Sequence, residues 1–320
     1  MLKKCHSWTI ATVLLIGFAP ATQVNAEPPS YRAQSGALSG LLNSAGSETL
    51  AYLAAFWGSD LRRHYPDIKF RMDLGGSSTA PGALMDGSAH VGMMSRPMKA
   101  GENEAFARKF GYPPTEFRVA LDAIVLYVHK DNPIKGLTLA QVDAIFSSTR
   151  KCGHDRDVTA WGQAGLAGDW ANRAIVPLGR DPLSGTHGYF RDKGLCGGNF
   201  RKEVKSLASP ADIMRSLTLL KNGIGYSGTG HRNPELKAVP LARNGNERFV
   251  DPTPDTIASG TYPLMRYLYV YANKAPGKPL PALEHEFIKL ILSAEGQRHV
   301  SNEGFVPLTA EAVNTERGKL

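Results

Sequence analysis

Three short stretches combine the residue types that hold an anion. The richest is Gly179-Arg180-Asp181-Pro182-Leu183-Ser184-Gly185-Thr186. Arg180 offers a planar guanidinium that grips two oxygens at once. Ser184 and Thr186 offer hydroxyl donors. Gly185 lets the main chain approach closely, so that N–H groups at a helix start can face a ligand. Ala45-Gly46-Ser47-Glu48-Thr49-Leu50 and Gly75-Gly76-Ser77-Ser78-Thr79-Ala80 repeat this chemistry without the arginine. Ser, Gly and Thr also build ordinary turns and helix caps, so a single loop of this kind says little.

The flanking elements give the loops a common placement. The apolar run 174–178 leads into the Arg180 loop, and 187–191 reads as a helix after it. Ile68 to Leu74 alternates like a strand and runs into Gly75; Pro81 then sits just inside a short helix that Gly87 stops. Leu50, Leu53, Ala54, Trp57 and Leu61 recur at helical spacing up to Pro66, and their simplest role is core packing. Thr138 with Gln141 forms a capping box, and Ser209-Pro210-Ala211-Asp212 opens another helix that Gly223 ends. Strands alternate with helices throughout, the pattern of an α/β fold with mostly parallel sheets, whose ligands gather at the carboxyl ends of strands. Two long strands, 118–129 and 262–272, divide the chain. They predict two α/β lobes, 27–118 plus 263–320 and 119–262, joined by two crossover strands with a cleft between. Asp122 interrupts the first long strand, which places it either in an ion pair or at a cleft.

Composition bounds the class. A chain of 320 residues with 42% hydrophobic and 21% charged content builds one large or two medium domains. Residues 1–26 read as a signal peptide: Lys3 and Lys4, an apolar stretch from Trp8 to Ala21 too short to span a membrane, and a small-residue cleavage site at Val24-Asn25-Ala26. Export, to the periplasm or beyond the cell, follows from that reading. Cleavage removes Lys3 and Lys4 and takes the net charge from +8 to +6, a modest field that draws anions inward. No motif supports nucleic-acid binding. Loss of Cys5 leaves Cys152 and Cys196, which in an oxidising compartment most simply pair. No cysteine and histidine set has the spacing of a zinc site, and neither metal nor cofactor is expected.

Taken in order, Gly46-Ser47-Glu48-Thr49-Leu50, Gly76-Ser77-Ser78, Ser95-Arg96-Pro97-Met98, Asp122-Ala123-Ile124, Asn132-Pro133, Gly179-Arg180-Asp181 with Ser184-Gly185-Thr186, Ile224-Gly225-Tyr226 and Ser293-Ala294-Glu295-Gly296-Gln297 resemble the periplasmic phosphate-binding proteins of phosphate ABC importers, across residues 43–310. The resemblance implies a type II periplasmic-binding-protein fold and capture of inorganic phosphate for a membrane permease by a monomer. It also implies a ligand set of Thr49, Leu50, Ser77, Arg180, Ser184, Gly185 and Thr186, to which Arg96 is added as a further candidate. At Arg96 the chain departs from well-known members, which carry there an aspartate that accepts the proton of phosphate. Arg96 has two readings: a second guanidinium on the ligand, or an ion pair with a nearby carboxylate. Glu48, Asp122 and Asp181 are the other carboxylates able to receive that proton. Two rival functions remain at this stage. One is a binding protein for another oxyanion or a phosphorylated ligand. The other is a secreted phosphatase, for which Ser77 and Ser184 have no base nearby in sequence and no dinuclear metal set is evident.

Overall fold

A computed structural model describes residues 27–231 and 233–320; the signal-peptide assignment lies outside them. The strands are β1 (Gly40–Gly46), β2 (Ile68–Asp73), β3 (Val91–Met94), β4 (Thr115–His129), β5 (Leu137–Thr138), β6 (Val176–Arg180), β7 (Lys205–Leu207), β8 (Gly223–Gly228), β9 (Leu236–Val239), β10 (Leu241–Ala242) and β11 (Met265–Ala272). The helices are α1 (Ala51–His64), α2 (Ala80–Asp86), α3 (Ala100–Phe110), α4 (Leu139–Phe146), α5 (Gly185–Tyr189), α6 (Pro210–Leu219), α7 (Pro254–Ala258), α8 (Ala282–Ile291), α9 (Ala294–Asn302) and α10 (Ala310–Arg317).

One continuous sheet organises these elements in the order β2-β1-β3-β11-β4-β8-β6-β7, with β9 also paired to β4. The arms β2-β1-β3 and β8-β6-β7 are parallel. The centre is not: β11 runs antiparallel to β3 and β4, and β4 antiparallel to β8 and β9. The expectation of mostly parallel pairing therefore holds in the arms and fails between them. The physical reason is direction of travel: β4 carries the chain from one arm to the other and β11 carries it back. The amino-terminal part of β4 pairs with β11, and Ile124 to Val128 pairs with β8. Such a strand is covered on both faces, and from Val119 to His129 every residue of β4 is buried.

Local signals act as the residue types dictate. Thr138 and Ser209 both close capping boxes, with the amides of Gln141 and Asp212 donating to their hydroxyls at 3.2 Å; such caps contribute about 1 kcal/mol each. Gly87 takes the left-handed conformation that stops α2. Trp57 is fully buried on the inner face of α1, and its indole N–H donates to Gly296 O at 3.0 Å. Cys152 and Cys196 form a disulfide with Cα atoms 5.4 Å apart. β1 lies between β2 and β3 and delivers the first of the three candidate loops.

Candidate functional site

The anion loops leave the carboxyl ends of β1, β2 and β6, and they meet. Gly46, with φ 131°, lies so close to β3 that a Cβ there would sit 2.0 Å from Met93 O; only glycine turns the chain at this point. Ser47 then caps the following turn, its hydroxyl accepting from Thr49 N at 3.2 Å. Ser184 repeats the arrangement on the other arm, accepting from Thr186 N at 3.2 Å. The two capped turns point at each other: Thr49 Oγ1 and Thr186 Oγ1 are 3.1 Å apart. Gly185 lies against the second loop, where a Cβ would come within 2.2 Å of Ser77 Oγ and 2.6 Å of Ser95 Oγ. Ser78 N donates to Leu183 O at 3.1 Å, a main-chain bond across the same seam.

Ser77 is fully buried, and its hydroxyl accepts from Ser95 N at 3.1 Å and lies 3.3 Å from Ser95 Oγ. Ser47 Oγ donates to Ser95 Oγ at 3.0 Å, so Ser95 ties two anion loops together. Arg180 is 1% exposed. Its Nη2 donates to Glu48 Oε2 at 3.0 Å and to Ala208 O at 2.8 Å. Its Nε and Nη1 have no partner among the described residues. A buried guanidinium with two unpaired donor nitrogens can receive an acceptor-rich anion. Burial disfavours the guanidinium charge and lowers its pKa, and Glu48 and Asp181 offset this only in part. Burial likewise raises the pKa of Glu48 above the usual carboxylate value, against the pull of its own N–H and of Arg180.

Not every residue expected at the site reaches it. Thr49, Ser77, Arg180, Ser184, Gly185 and Thr186 converge. The Leu50 N–H turns back to Ser47 O at 3.2 Å. Arg96 is held within the protein. Its Nη1 and Nη2 meet Glu102 Oε2 and Oε1, each at 2.7 Å, with Pro97 O and Ser78 Oγ as further acceptors. The ion-pair reading of Arg96 is the one observed, because α3 starts four residues on and presents Glu102, six residues on, in its first turn.

One arginine escaped the sequence reading. Arg266 is 2% exposed and lies directly opposite Asp122 in the β4–β11 register. Its Nε and Nη2 donate to Asp122 Oδ2 at 2.9 and 2.7 Å. Its Nη1 donates to Ser95 O at 2.9 Å and Thr186 Oγ1 at 3.1 Å, joining the crossover strands to loops of both arms. Asp122 Oδ1 accepts from Thr229 N and Oγ1 at 2.9 and 3.0 Å, which fills both of its oxygens. A cation and an anion breaking two otherwise apolar long strands was the available signal.

Comparison with known proteins agrees with this geometry. Residues 32–295 match the model of a PBP superfamily domain. The phosphate-binding protein PstS of Pseudomonas aeruginosa is 49% identical over 283 residues, covering 88% of this chain and 87% of its own. The PstS of Staphylococcus epidermidis is 27% identical over 264 residues, covering 81% and 77%. A solved structure from Clostridium perfringens with bound phosphate has a TM-score of 0.71 at 24% identity, covering 84% of this chain and all of its own. An ABC-type phosphate transport receptor from Vibrio cholerae has a TM-score of 0.66 at 19% identity, with coverage of 84% and 100%. The fold is that of the type II periplasmic-binding proteins, and the chain belongs to the PBP superfamily and, within it, to the family of the PstS phosphate-binding proteins.

Proposed function

We propose that this protein captures inorganic phosphate in a cleft between two lobes, residues 27–118 plus 263–320 and 119–262, and hands it to the membrane permease of an ABC importer. The observation that carries the proposal is Arg180, buried with two unpaired nitrogens and joined through Glu48 to the loop of the other arm, in a chain 49% identical to a phosphate-binding protein. The ligand set is Thr49, Leu50, Ser77, Arg180, Ser184, Gly185 and Thr186, without Arg96. Leu50 would contribute its N–H once the turn at Ser47 opens to an anion.

The physics of capture is direct. A dianion that leaves water needs charge-assisted hydrogen bonds on every oxygen. Donors divided between two arms supply them only when the arms are together, which couples binding to closure. The Ser78–Leu183 and Thr49–Thr186 contacts are the kind of seam such closure makes. Capture without chemistry also suits the serines: among the described residues, Ser77 Oγ contacts Ser95 and Ser184 Oγ contacts the Thr186 amide, and neither touches a histidine or a carboxylate. Export by a cleaved signal peptide and action as a monomer complete the proposal.

Calorimetry on unfolded, ligand-stripped and refolded protein tests it. One phosphate per chain should bind at micromolar concentration or below, and Arg180→Met should weaken binding at least a hundredfold. No binding of phosphate at millimolar concentration, or tighter binding of another oxyanion, refutes it.

A further inference from the structure

At neutral pH much inorganic phosphate is the monohydrogen dianion, which presents three bare oxygens and one P–OH donor. Sulfate is a dianion of similar shape with no donor. A cleft lined by donors alone cannot separate them, so discrimination needs an acceptor among the donors. Four carboxylates lie near enough to be considered. Glu102 is closed on Arg96 with both oxygens. Asp122 is fully buried, and Arg266 and Thr229 fill both of its oxygens. Asp181 turns its Oδ1 back to the amides of Leu183 and Ser184 at 2.9 and 3.1 Å, shaping its own loop.

Glu48 differs from these. Its Oε2 holds Arg180 Nη2 across the seam at 3.0 Å, and its Oε1 accepts from no other described residue. Arg180 Nη1, the free nitrogen, hangs from the same carbon as Nη2. An oxyanion seated on Nη1 is held by the same guanidinium that binds the Glu48 carboxylate. Glu48 also directly precedes Thr49, whose hydroxyl meets Thr186 at the centre of the site.

Resting on the phosphate reading above, we propose that Glu48 is the residue that selects protonated phosphate: the ligand's P–OH donates to the Glu48 carboxylate while the bare oxygens take Arg180 and the hydroxyls. With sulfate the same carboxylate faces a lone pair, and two like charges meet with no hydrogen between them. Discrimination then comes mostly from rejecting sulfate, as in other sites that leave a wrong ligand's polar group unmatched. The burial that raises the proton affinity of Glu48 also favours a strong bond from a P–OH.

The test is calorimetry at pH 7.5 with phosphate and with sulfate on the full chain, ligand-stripped, as the unmutated protein and as Glu48→Gln, Glu48→Ala and Glu48→Asp. The quantity read is the ratio of the two affinities. Removing a negative charge strengthens both anions alike and cancels in that ratio, so a purely electrostatic or structural role leaves it unmoved. Glu48→Gln and Glu48→Ala should lower the phosphate-to-sulfate ratio at least a hundredfold, chiefly through a gain in sulfate binding, and Glu48→Asp should retain part of it. A ratio within threefold of the unmutated protein in either Glu48→Gln or Glu48→Ala overturns the assignment of Glu48 while leaving phosphate capture intact. Absence of phosphate binding by the unmutated protein overturns both.

Discussion

Among the described residues, Asp122 and Arg266 are the one ion pair with both side chains at 0% exposure. Each is also tied to the protein on its other side, Asp122 to Thr229 and Arg266 to Ser95 and Thr186. Asp122→Asn leaves a buried guanidinium without its counter-charge. Removing one partner of a buried pair costs about 3–5 kcal/mol, which for a chain of this size lowers the melting temperature by roughly 6–15 °C. Replacing both partners by apolar residues of similar volume, as Asp122→Leu with Arg266→Met, removes the desolvation cost along with the attraction. The double variant should therefore be more stable than either single one, and the coupling energy from the cycle should exceed about 2 kcal/mol. Urea unfolding followed by circular dichroism measures all four proteins. A loss below about 1 kcal/mol for Asp122→Asn, or a double variant no better than the singles, would refute the reasoning that this pair is a desolvated, mutually dependent unit. Phosphate binding by the double variant should also fall, because Thr186 loses the Arg266 donor that orients its hydroxyl.

Other consequences can be checked separately. Cys152→Ser opens a bridge spanning 44 residues and should cost about 4 kcal/mol by loop entropy, read from urea midpoints under oxidising conditions. His231 is pushed down to about 4, by burial first and then by Arg180 and Arg266, against Asp122. It stays neutral in the fold while the unfolded chain takes up a proton near pH 6.5, so stability falls as pH drops from 6.5 towards 4, by up to about 3 kcal/mol. His231→Gln should flatten that part of the pH–stability curve; an unchanged slope contradicts the assignment. Arg96→Met should reduce stability by about 1–3 kcal/mol through the loss of its bonds to Glu102, while changing phosphate affinity less than threefold in calorimetry.

Much of this arrangement was legible in the chain because its signals are local. Thr138, Ser209, Pro81 and Gly87 mark helix ends by their own chemistry, and all four do so in the structure. The anion loops were legible because a hydroxyl cap and an adjacent glycine are sequence neighbours. Most of what escaped depends on partners far apart along the chain. β1 carries Gly40, Asn43, Ser44 and Gly46, which hide its strand character; its place is fixed by neighbours on both sides. Arg96 turned on where α3 sets Glu102. Arg266 could be recognised only by aligning β11 against β4, since register is settled by pairing across the sheet rather than by either strand alone.

Capture turns on which atoms hold the anion. A crystal structure of the ligand-stripped protein soaked with phosphate tests it most directly. Phosphate should lie against Arg180 Nη1, the Thr49, Ser77, Ser184 and Thr186 hydroxyls and the Gly185 N–H, with one oxygen in hydrogen-bond distance of Glu48 and none touching Arg96. Phosphate bound by Arg96, or seated away from Arg180, would contradict it.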